Sequence, residues 1–352
     1  MTETWREAWS ALAGDGLLNM ALPKEYGGQD RPLLECLERL QSWGETTQDL
    51  GRALGLGAQL WPMQMPILEF GSQAQKQALL PGLADGHLTC CHAITEANSG
   101  SNALALSTRA EPCEAGYRIN GEKVLIGMAP VADFAFLFAT LDPAKGPWGV
   151  TAFLVDLTSP GIARGPNQRK MGSNTLPFGS LTFEDVEVPA SALLGREGGG
   201  AAIFTRSLDW ERRFIFAPFV GAMKRQLRDA IAFAKSRKID PDHAIEAHQS
   251  VSNRLADMRL RYETAQLMLG KAAQEVVSDT RNEATAALTK LHLSEAFLAN
   301  SQDALRIQGG QGYLEGSPAE QDLREAHGAV LYGGTSDIQR NIIARSQSLK
   351  GL

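Results

Sequence analysis

The sequence predicts an α+β multidomain protein in which a helical domain, a β domain and a helical bundle follow one another. Apolar residues recur at three- and four-residue steps at both ends of the chain, whereas short β-prone runs separated by turn signals fill the middle. Because helices and strands occur in separate blocks, segregated layers are favoured over a doubly wound fold. We predict an N-terminal helical domain at residues 1–88, a middle β-barrel-like domain at residues 89–198 and a C-terminal four-helix bundle at residues 199–352.

The N-terminal block has a helical period that is broken by proline and glycine, as at residues 22–28. The apolar positions that carry the period are Leu33, Leu37, Leu40 and Trp43, and then Ile67, Phe70 and Leu79. These positions predict amphipathic helices that share a small core.

The middle block begins near Thr89, where the helical period stops. Asn120-Gly121 lies between two β-prone runs, and this dipeptide tolerates the positive φ angles of a tight hairpin. We therefore predict a hairpin with a two-residue turn there. Further strands are predicted at Phe134–Ala139, Gly149–Val155 and Ser180–Phe183.

The C-terminal block contains four long helical patterns joined by short connections, which is typical of a helix bundle. The predicted helices are Ile203–Arg237, Ile245–Val277, Glu283–Ile307 and Ser336–Leu349.

Composition excludes several classes of function. The formal charge of -6 and the pI near 5.6, without a basic run, argue against binding to nucleic acid or to an anionic membrane. Four cysteines without metal-ligand spacing predict neither a metal site nor a disulfide framework. No stretch approaches the ~20 apolar residues of a membrane span, and no targeting segment is visible at the N-terminus. We therefore expect a cytoplasmic protein.

A glycine pair precedes a helix start near the C-terminus. Gly333 and Gly334 permit a close approach of a ligand to the backbone, and Ser336 with Gln339 forms the pattern of a capping box. A loop of this kind that leads into a helix N-terminus can bind a phosphate or a flat polar ring. An ordinary tight turn is the alternative.

Glu211 is a charged residue in an apolar helical stripe made by Leu208, Ile215, Phe219 and Ala222. Removal from water raises the pKa of a carboxyl group and makes it a better general base near neutral pH. Glu211 is therefore a candidate base. The alternative is a surface ion pair with Arg212 or Arg213.

Two further segments could approach a ligand. One is the small-residue loop of residues 96–102, where a strand ends and backbone N–H groups are exposed. The other is the glycine-rich corner of residues 306–313, which a glycine helix cap also explains.

Taken together, these segments resemble the acyl-CoA dehydrogenase family of flavoproteins over nearly the whole chain. The residues that carry the resemblance are Ala93-Ile94-Thr95-Glu96, Gly100-Ser101-Asn102, residues 116–123 (Gly-Tyr-Arg-Ile-Asn-Gly-Glu-Lys), Lys170-Met171-Gly172, residues 183–189 (Phe-Glu-Asp-Val-Glu-Val-Pro), Leu208-Asp209-Trp210-Glu211-Arg212, Gln249, residues 255–258 (Leu-Ala-Asp-Met), residues 309–313 (Gly-Gly-Gln-Gly-Tyr) and residues 334–340 (Gly-Thr-Ser-Asp-Ile-Gln-Arg).

The resemblance implies a homodimer or homotetramer with FAD between the β domain and the bundle, and no metal. The residues that the resemblance places on the cofactor are His92, Ile94, Thr95, Gly100, Ser101, Leu125 and Gly127, then Arg237, Gln249, Arg306, Gly309 and Gly310 at the ADP half across a subunit interface, and Thr335 and Asp337 at the last helix start. It places Ser101, Asp209 and Arg212 on the substrate.

The resemblance also implies the reaction. A glutamate of the family removes the α-proton of an acyl thioester, carried by coenzyme A or an acyl carrier protein, while the β-hydrogen leaves as hydride to flavin N5. The electrons then pass to an electron-transfer acceptor. In most of the family the base stands where this chain has Gly333, but a branch similar to isovaleryl-CoA dehydrogenase carries it at the position of Glu211. The resemblance therefore implies Glu211 as the base.

The chain departs from the family pattern at several places. Leu125-Ile126-Gly127 stands where the family has Trp-Ile-Thr, and Arg306 replaces a glutamine. Asp240-Pro241 replaces Phe-Gly, and the N-terminus begins late, as if the first helix were missing or shortened. Two other functions stay open, and the loss of the threonine near flavin N5 bears on the first of them. One is a flavin oxidase or monooxygenase on the same fold, and the other is a non-catalytic FAD-binding subunit.

Overall fold

The computed structural model describes residues 2–349 and the side chains of residues 5–349, and its order of elements confirms the predicted fold class. The described residues form two compact units. The first unit comprises the residues up to Pro32, Gly55–Arg169 and Thr175–Glu211, and the second comprises Leu33–Leu54, Lys170–Asn174 and the residues from Arg212 onward. The domain boundaries at residues 88/89 and 198/199 stay a prediction.

The N-terminal segment is helical, as predicted. Its helices are α1 (Thr2–Gly14), α2 (Leu33–Thr46), α3 (Leu50–Ala58), α4 (Met65–Phe70) and α5 (Gln73–Ala84). A fully buried π-helical turn, Gln59–Gln64, joins α3 to α4 and contains Pro62. Because proline has no N–H for the carbonyl four residues earlier, an α-helical bond is lost there, and a wider turn accommodates the ring.

The described residues of the middle block form one eight-stranded sheet. Its strands are β1 (Cys90–Ala93), β2 (Arg109–Cys113), β3 (Gly116–Gly127), β4 (Phe134–Thr140), β5 (Val150–Asp156), β6 (Ile162–Arg164), β7 (Phe178–Pro189) and β8 (Leu193–Leu194). The strand order is β6-β7-β3-β2-β4-β5-β8, and β1 pairs in parallel with β4. Phe136, Phe138 and Phe153 are fully buried and form part of its core.

The hairpin predicted at Asn120-Gly121 is wrong, because β3 continues through this dipeptide. The register between β3 and β7 shifts here, which marks a bulge. Gly121 has a φ of 150°, and a Cβ there would lie 2.6 Å from Thr108 Oγ1. Asn120 Oδ1 accepts a hydrogen bond from the Asp185 N–H at 2.8 Å. Gly121 therefore allows the bulge and the close approach of Thr108. The hairpin instead connects β2 to β3, with its turn between Cys113 and Gly116.

The long helix predicted at Ile203–Arg237 is also wrong, because it is two helices. They are α6 (Gly200–Phe214) and α7 (Ala217–Ser236). Pro218 lies in the first turn of α7, and it can donate no hydrogen bond to the Phe214 carbonyl four residues earlier. Helix α6 therefore ends at Phe214.

The C-terminal helices are α8 (Gln249–Val277), α9 (Glu283–Gln308), α10 (Pro318–Ala329) and α11 (Ser336–Ser346). Within the second unit, α9 packs against α7, α8, α10 and α11. Helix α10 was missed by the sequence prediction, although Ser317 followed by Pro318 is a helix-start signal. Ser317 Oγ accepts the Glu320 N–H at 3.2 Å and completes the cap. No helix of residues 2–349 has the length and apolar character that a membrane crossing requires.

Helix α2 packs against α7 in the second unit, although it belongs to the N-terminal block of the sequence. A Cβ on Gly44 would lie 1.9 Å from the Pro218 carbonyl oxygen, and one on Gly221 would lie 1.9 Å from that of Gln41. The two backbones approach so closely that only glycine fits at these positions.

A buried ion pair ties the loop after β1 to β3. Lys123 Nζ lies 2.8 Å from Glu96 Oε1, and the two side chains are 0% and 4% exposed. Lys123 also donates to the Ile94 carbonyl at 3.1 Å, and the backbone N–H groups of Ser107 and Thr108 donate to the Glu96 carboxylate. Although burial opposes its ionisation, Lys123 and these hydrogen bonds lower the pKa of Glu96 to about 2.

We expect Lys123→Met to lower the free energy of unfolding by about 3–5 kcal/mol, because it leaves the Glu96 carboxylate buried without its cation. Urea unfolding monitored by circular dichroism measures the change. The double variant Lys123→Met/Glu96→Gln should recover part of the loss. A single variant as stable as the parent would contradict this account of the pair.

The pH dependence of this pair follows from the lowered pKa of Glu96. The folded state holds the Glu96 proton less tightly than the unfolded state, so the stability from ionised Glu96 is present above pH ~4.5 and is lost toward pH ~2. We expect the stability difference between the parent and Glu96→Gln to shrink over that range of falling pH. Unfolding curves at matched pH values measure it, and a difference independent of pH would count against the interpretation.

Candidate active site

The structure brings one group of predicted cofactor residues together at the end of β1 and along β3, in the first unit. His92 lies on β1, and Ile94 and Thr95 directly follow the end of this strand. The Thr95 carbonyl accepts the Val124 N–H at 2.8 Å, which places Thr95 beside Leu125 on β3. The Lys123–Glu96 ion pair joins the same loop to β3 and so stabilises the contact between Thr95 and this strand.

Leu125 and Gly127 have unusual features for strand residues. Leu125 has a φ of 59°, a conformation that is uncommon for a bulky residue, and its side chain is 58% exposed. The register between β3 and β7 shifts between Lys123 and Ile126. A Cβ on Gly127 would meet only Leu176 Cδ2, at an ordinary contact distance of 3.6 Å. This stretch of β3 therefore presents apolar surface and room for a side chain at residue 127.

The predicted small-residue loop after β1 is exposed at Gly100 and Ser101. Ser99 Oγ donates to the Asn102 carbonyl at 2.7 Å, and Glu96 and Ser99 exchange backbone hydrogen bonds. The loop is therefore closed at its base, while its glycine and serine remain accessible.

Glu211 is buried on α6, as its apolar stripe predicts, with 8% of its surface exposed. The other members of the stripe are buried too: Leu208, Ile215, Phe219 and Ala222. Arg212 and Arg213, the partners in the alternative ion pair, are buried as well, at 8% and 0% exposed. Arg213 Nη1 lies 3.0 Å from Glu275 Oε2 in the second unit. The catalytic role of Glu211 stays a prediction.

Several contacts that hold α6 in the first unit were missed by the sequence analysis. Ser207 Oγ lies 2.8 Å from the Pro62 carbonyl oxygen and 3.1 Å from His92 Nε2. Burial lowers the pKa of His92 to about 3, so its ring is neutral near pH 7. Ser207 lies four residues before Glu211, and this helical spacing is the signal that could have identified it.

A second set of missed contacts surrounds Trp210. Its ring stacks on Trp61, with ring centroids 5.9 Å apart and an interplanar angle of 9°. Its Nε1–H donates to Glu69 Oε1 at 3.0 Å, and Arg206 binds the same carboxylate at 2.6 and 3.0 Å. Asp209 Oδ2 lies 3.9 Å from Arg206 Nη1. Arginine and tryptophan at positions four apart on α6 thus share one carboxylate.

In the second unit, Arg212 and the Gly333 loop lie together. Arg212 Nε is 3.5 Å from the Gly333 carbonyl oxygen. Gly333 and Gly334 have φ values of 66° and 86°, which confirms the predicted left-handed backbone. Arg213 donates to the Ala272 and Asn282 carbonyls and so joins the end of α6 to the corner between α8 and α9.

The predicted capping box at Ser336 is wrong by one residue. Thr335 is the N-cap of α11, and its Oγ1 accepts the Ile338 N–H at 3.3 Å. Gln339 Nε2 donates to the Gly333 and Gly334 carbonyls, at 3.1 and 3.0 Å, so it braces the glycine loop. Asp337 is exposed in the first turn and lies 3.0 Å from Arg340. Only the side-chain geometry could decide which of two adjacent hydroxyl residues caps the helix.

The residues predicted at the ADP half of FAD lie at one end of the bundle. Arg237 caps the end of α7, Gln249 begins α8, and Arg306 is in the last turn of α9. One apolar core joins these ends, with buried Ala234, Met258 and Ile307 among its members. A Cβ on either Gly309 or Gly310, which follow α9, would meet no atom within 4 Å.

This end of the bundle is rich in arginine. Arg254 and Arg261 lie 2.7 and 2.8 Å from the two oxygens of Asp303, and Arg306 lies 3.5 Å from it. Asp240, at the departure from the family pattern, accepts the backbone N–H groups of Asp242 and His243 and stabilises a tight turn before α8. The arrangement offers cations and open backbone to an anionic group.

The two units thus carry two sets of functional groups. The first unit presents the exposed apolar side chain of Leu125 on β3, an accessible loop at Gly100 and Ser101, and the buried carboxylate of Glu211 on α6. The second presents Arg212 with a glycine loop, and an arginine-rich helix end. Among the described residues no cluster of histidine, cysteine or carboxylate side chains is arranged to hold a metal ion.

Three profiles of one family match the chain in succession. They are "Acyl-CoA dehydrogenase, N-terminal domain" at residues 2–87, "middle domain" at residues 91–186 and "C-terminal domain" at residues 198–348.

Similar individual proteins include enzymes that act on carrier-bound proline. "L-prolyl-[peptidyl-carrier protein] dehydrogenase" of Pseudomonas fluorescens is 38% identical over 97% of this chain and 90% of its own length. The structure of the "Prolyl Acyl Carrier Protein Oxidase AnaB" aligns with a TM-score of 0.96 and 37% identity, over 98% of this chain and 91% of that one. "PigA with FAD and proline" aligns with a TM-score of 0.94 and 34% identity, over 100% of this chain and 90% of that one. With all three domain profiles matched in order, this chain belongs to the acyl-CoA dehydrogenase family.

Proposed function

We propose that this chain catalyses the FAD-dependent α,β-dehydrogenation of an acyl thioester, with Glu211 as the base that takes the α-proton. The observation that carries the proposal is the buried carboxylate of Glu211 on α6, in a chain that has Gly333 where most of the family has its base. Glycine cannot accept a proton, so the chain must supply the base from another position.

The residues present fit FAD. Leu125 and Gly127 offer an exposed apolar side chain and open space beside the backbone, which suits a flat ring. Gly309 and Gly310 leave their backbone open, and Arg306 stands one turn away as a cation for a pyrophosphate. When bound, FAD supplies the acceptor for the β-hydrogen, which leaves as hydride. His92, Ile94, Thr95, Gly100, Ser101, Thr335 and Asp337 complete the proposed cofactor residues, with Arg237 and Gln249 at the ADP half.

The side chains of this protein then supply the acid–base part of the reaction. A thioester α-proton is weakly acidic, so a base must be desolvated and placed in contact with that carbon. The burial of Glu211 supports its desolvation, and its contact with the α-carbon is part of the proposal. The proton moves from the α-carbon to a carboxylate oxygen of Glu211. Ser101, Asp209 and Arg212 orient the substrate chain in this proposal.

We propose a carrier-protein thioester of a small acyl group, such as prolyl, as the substrate. The support is the activity in the name of the Pseudomonas fluorescens relative, together with the similarity to AnaB and PigA. An acyl-CoA substrate is the alternative, which the names of the matched family domains support.

The assembly is proposed to be a homodimer or homotetramer in the cytoplasm, with an electron-transfer protein as the acceptor. Leu260 and Leu267 on α8 are 62% and 73% exposed, an apolar feature that a second copy could cover. Arg237, Gln249 and Arg306 would then meet the ADP half of FAD bound to the partner subunit.

The oxidase function is a second candidate, which Gly127 specifically favours. The family threonine at this position would place a hydroxyl near flavin N5, and a Cβ at residue 127 meets no atom closer than 3.6 Å. The space is therefore open to a small molecule such as oxygen. The name of the AnaB oxidase gives the same indication.

We expect Glu211→Gln to slow anaerobic flavin bleaching by the substrate thioester about 10²–10⁴-fold, because the amide cannot accept the α-proton. Stopped-flow absorbance of the flavin measures the rate. Glu263→Gln on α8, a half-buried glutamate that pairs with Arg259, is the matched control and should leave the rate unchanged. If Glu211→Gln is reduced as fast as the parent, the base is elsewhere.

The nature of the carrier can be tested with the same readout. We expect L-prolyl-loaded peptidyl carrier protein to bleach the flavin at least 10-fold faster than prolyl-CoA at equal concentration, because a carrier surface adds binding energy that CoA lacks. Faster bleaching by a CoA thioester contradicts the proposed carrier. A flavin that no thioester of the panel bleaches supports the non-catalytic alternative.

The oxygen reaction is tested by Gly127→Thr. We expect the added side chain to fit and to slow reoxidation of the reduced flavin by oxygen at least 10-fold if the parent is an oxidase, because the hydroxyl fills the open space. Rapid mixing of the reduced, product-bound protein with oxygenated buffer measures it. Slow reoxidation of the parent itself would exclude the oxidase function.

A further inference from the structure

The middle of α6, from Arg206 to Trp210, is held by residues of the N-terminal segment and of β1. Trp61, Pro62 and Glu69 contact Trp210, Ser207 and Arg206 respectively, and His92 also contacts Ser207. We refer to Trp61, Pro62, Glu69 and His92 as the α6 bracket. All of its members and their contacts on α6 belong to the first unit. Of these four residues only His92 has a role assigned above, as a proposed cofactor residue.

The hydrogen bonds of Ser207 form a fixed chain. The Pro62 carbonyl can only accept, so the single hydroxyl proton of Ser207 is donated to it at 2.8 Å. The 3.1 Å contact with His92 is then a hydrogen bond only if Nε2 carries the imidazole proton and donates to Ser207 Oγ. Ser207 is fully buried, and Pro62 belongs to the buried π-helical turn. A buried chain of this kind defines one position for the serine.

The Glu69 carboxylate fixes α6 a second time. It accepts two bonds from Arg206 and one from the Trp210 Nε1–H, in addition to the stacking of Trp210 on Trp61. Bidentate arginine–carboxylate pairs and stacked indoles have strict geometry. The hydrogen bonds of Ser207 and the contacts of Arg206 and Trp210 therefore fix both the position of α6 along its axis and its rotation about that axis.

Glu211 follows directly from this frame. Ser207 lies four residues before Glu211, and Trp210 lies immediately before it. Residues four apart lie on the same face of a helix, so a shift of Ser207 moves the backbone of Glu211 with it. A reacting group displaced by about 1 Å can lose about 10²-fold in rate.

We propose that Ser207 is a positioning residue for the reaction, acting through Glu211, and that its bonds to Pro62 and His92 set the carboxylate at the α-carbon of the substrate. This inference rests on the proposed role of Glu211. It also assigns a function to the π-helical turn, whose Pro62 carbonyl accepts the hydrogen bond from Ser207 on α6.

The test is a double-mutant cycle of Ser207→Ala and Glu211→Gln, read by anaerobic flavin bleaching with L-prolyl carrier protein. Ser207→Ala should slow bleaching at saturating substrate about 10-fold or more and leave the substrate dissociation constant within twofold. In the Glu211→Gln background the same change should have no further effect, because the group it positions is absent. Thr205→Ala is the matched control, since this exposed hydroxyl on α6 bonds only within the helix, to Ala201, among the described residues.

A second variant protects the test against a local packing defect. Trp210→Phe keeps an aromatic ring against Trp61 but removes the donor to Glu69, so it loosens the other half of the frame. It should slow bleaching in the parent background and leave the rate of bleaching unchanged in the Glu211→Gln background. Equal slowing in both backgrounds, or no slowing by either variant, overturns the positioning role.

Hydrogen exchange gives a readout that does not depend on turnover. Ser207→Ala should increase amide exchange over residues 207–211 relative to Thr205→Ala, at unchanged global melting temperature. Unchanged exchange overturns the inference. A parent protein that no thioester reduces, or one in which Glu211→Gln is as fast as the parent, overturns the proposed function instead and removes the base that Ser207 would position.

Discussion

The ion pair between Lys123 and Glu96 is the interaction on which one part of the candidate site depends, namely Thr95 and the stretch of β3 from Leu125 to Gly127. It joins the loop after β1 to β3 inside the core. Lys123 also donates to the Ile94 carbonyl, and the Glu96 carboxylate accepts the backbone N–H groups of Ser107 and Thr108. Charges buried this deeply persist only when they are paired and hydrogen-bonded. The requirement fixes Thr95 beside Leu125, because any separation of β1 from β3 exposes an unpaired charge to the core.

The same requirement recurs around α6 and in the bundle. Arg213 reaches Glu275, and Arg225 reaches Asp322 at 2.9 Å with both side chains 4% exposed. Buried pairs of this kind contribute little net stability compared with apolar residues, but breaking one costs several kcal/mol. They therefore serve to specify one arrangement of helices.

The proposed role of Glu211 is consistent with the glycine at position 333. A carboxylate before the Gly-Thr pair and one on α6 would both be suitable bases, but this chain has only the second. Gly333 has no side chain that could act as a base, and its carbonyl takes part in hydrogen bonds. Gln339 donates to both glycine carbonyls of the Gly333 loop, and Arg212 lies beside one of them. The π-helical turn and the Glu69 carboxylate hold α6, the helix that carries the proposed base.

The sequence by itself determined the fold class, the family, the burial of Glu211 and the left-handed glycine pair, because each depends on local spacing or on many weak signals in a fixed order. It did not determine the meaning of Asn120-Gly121, which is a bulge against Thr108, or the break at Phe214, which Pro218 causes. Nor did it identify the Lys123–Glu96 pair or the bracket of α6. Lys123 and Glu96 are 27 residues apart, and Ser207 and Pro62 are 145 apart. Contacts over such separations depend on how strands and helices pack, so only the tertiary structure decided them.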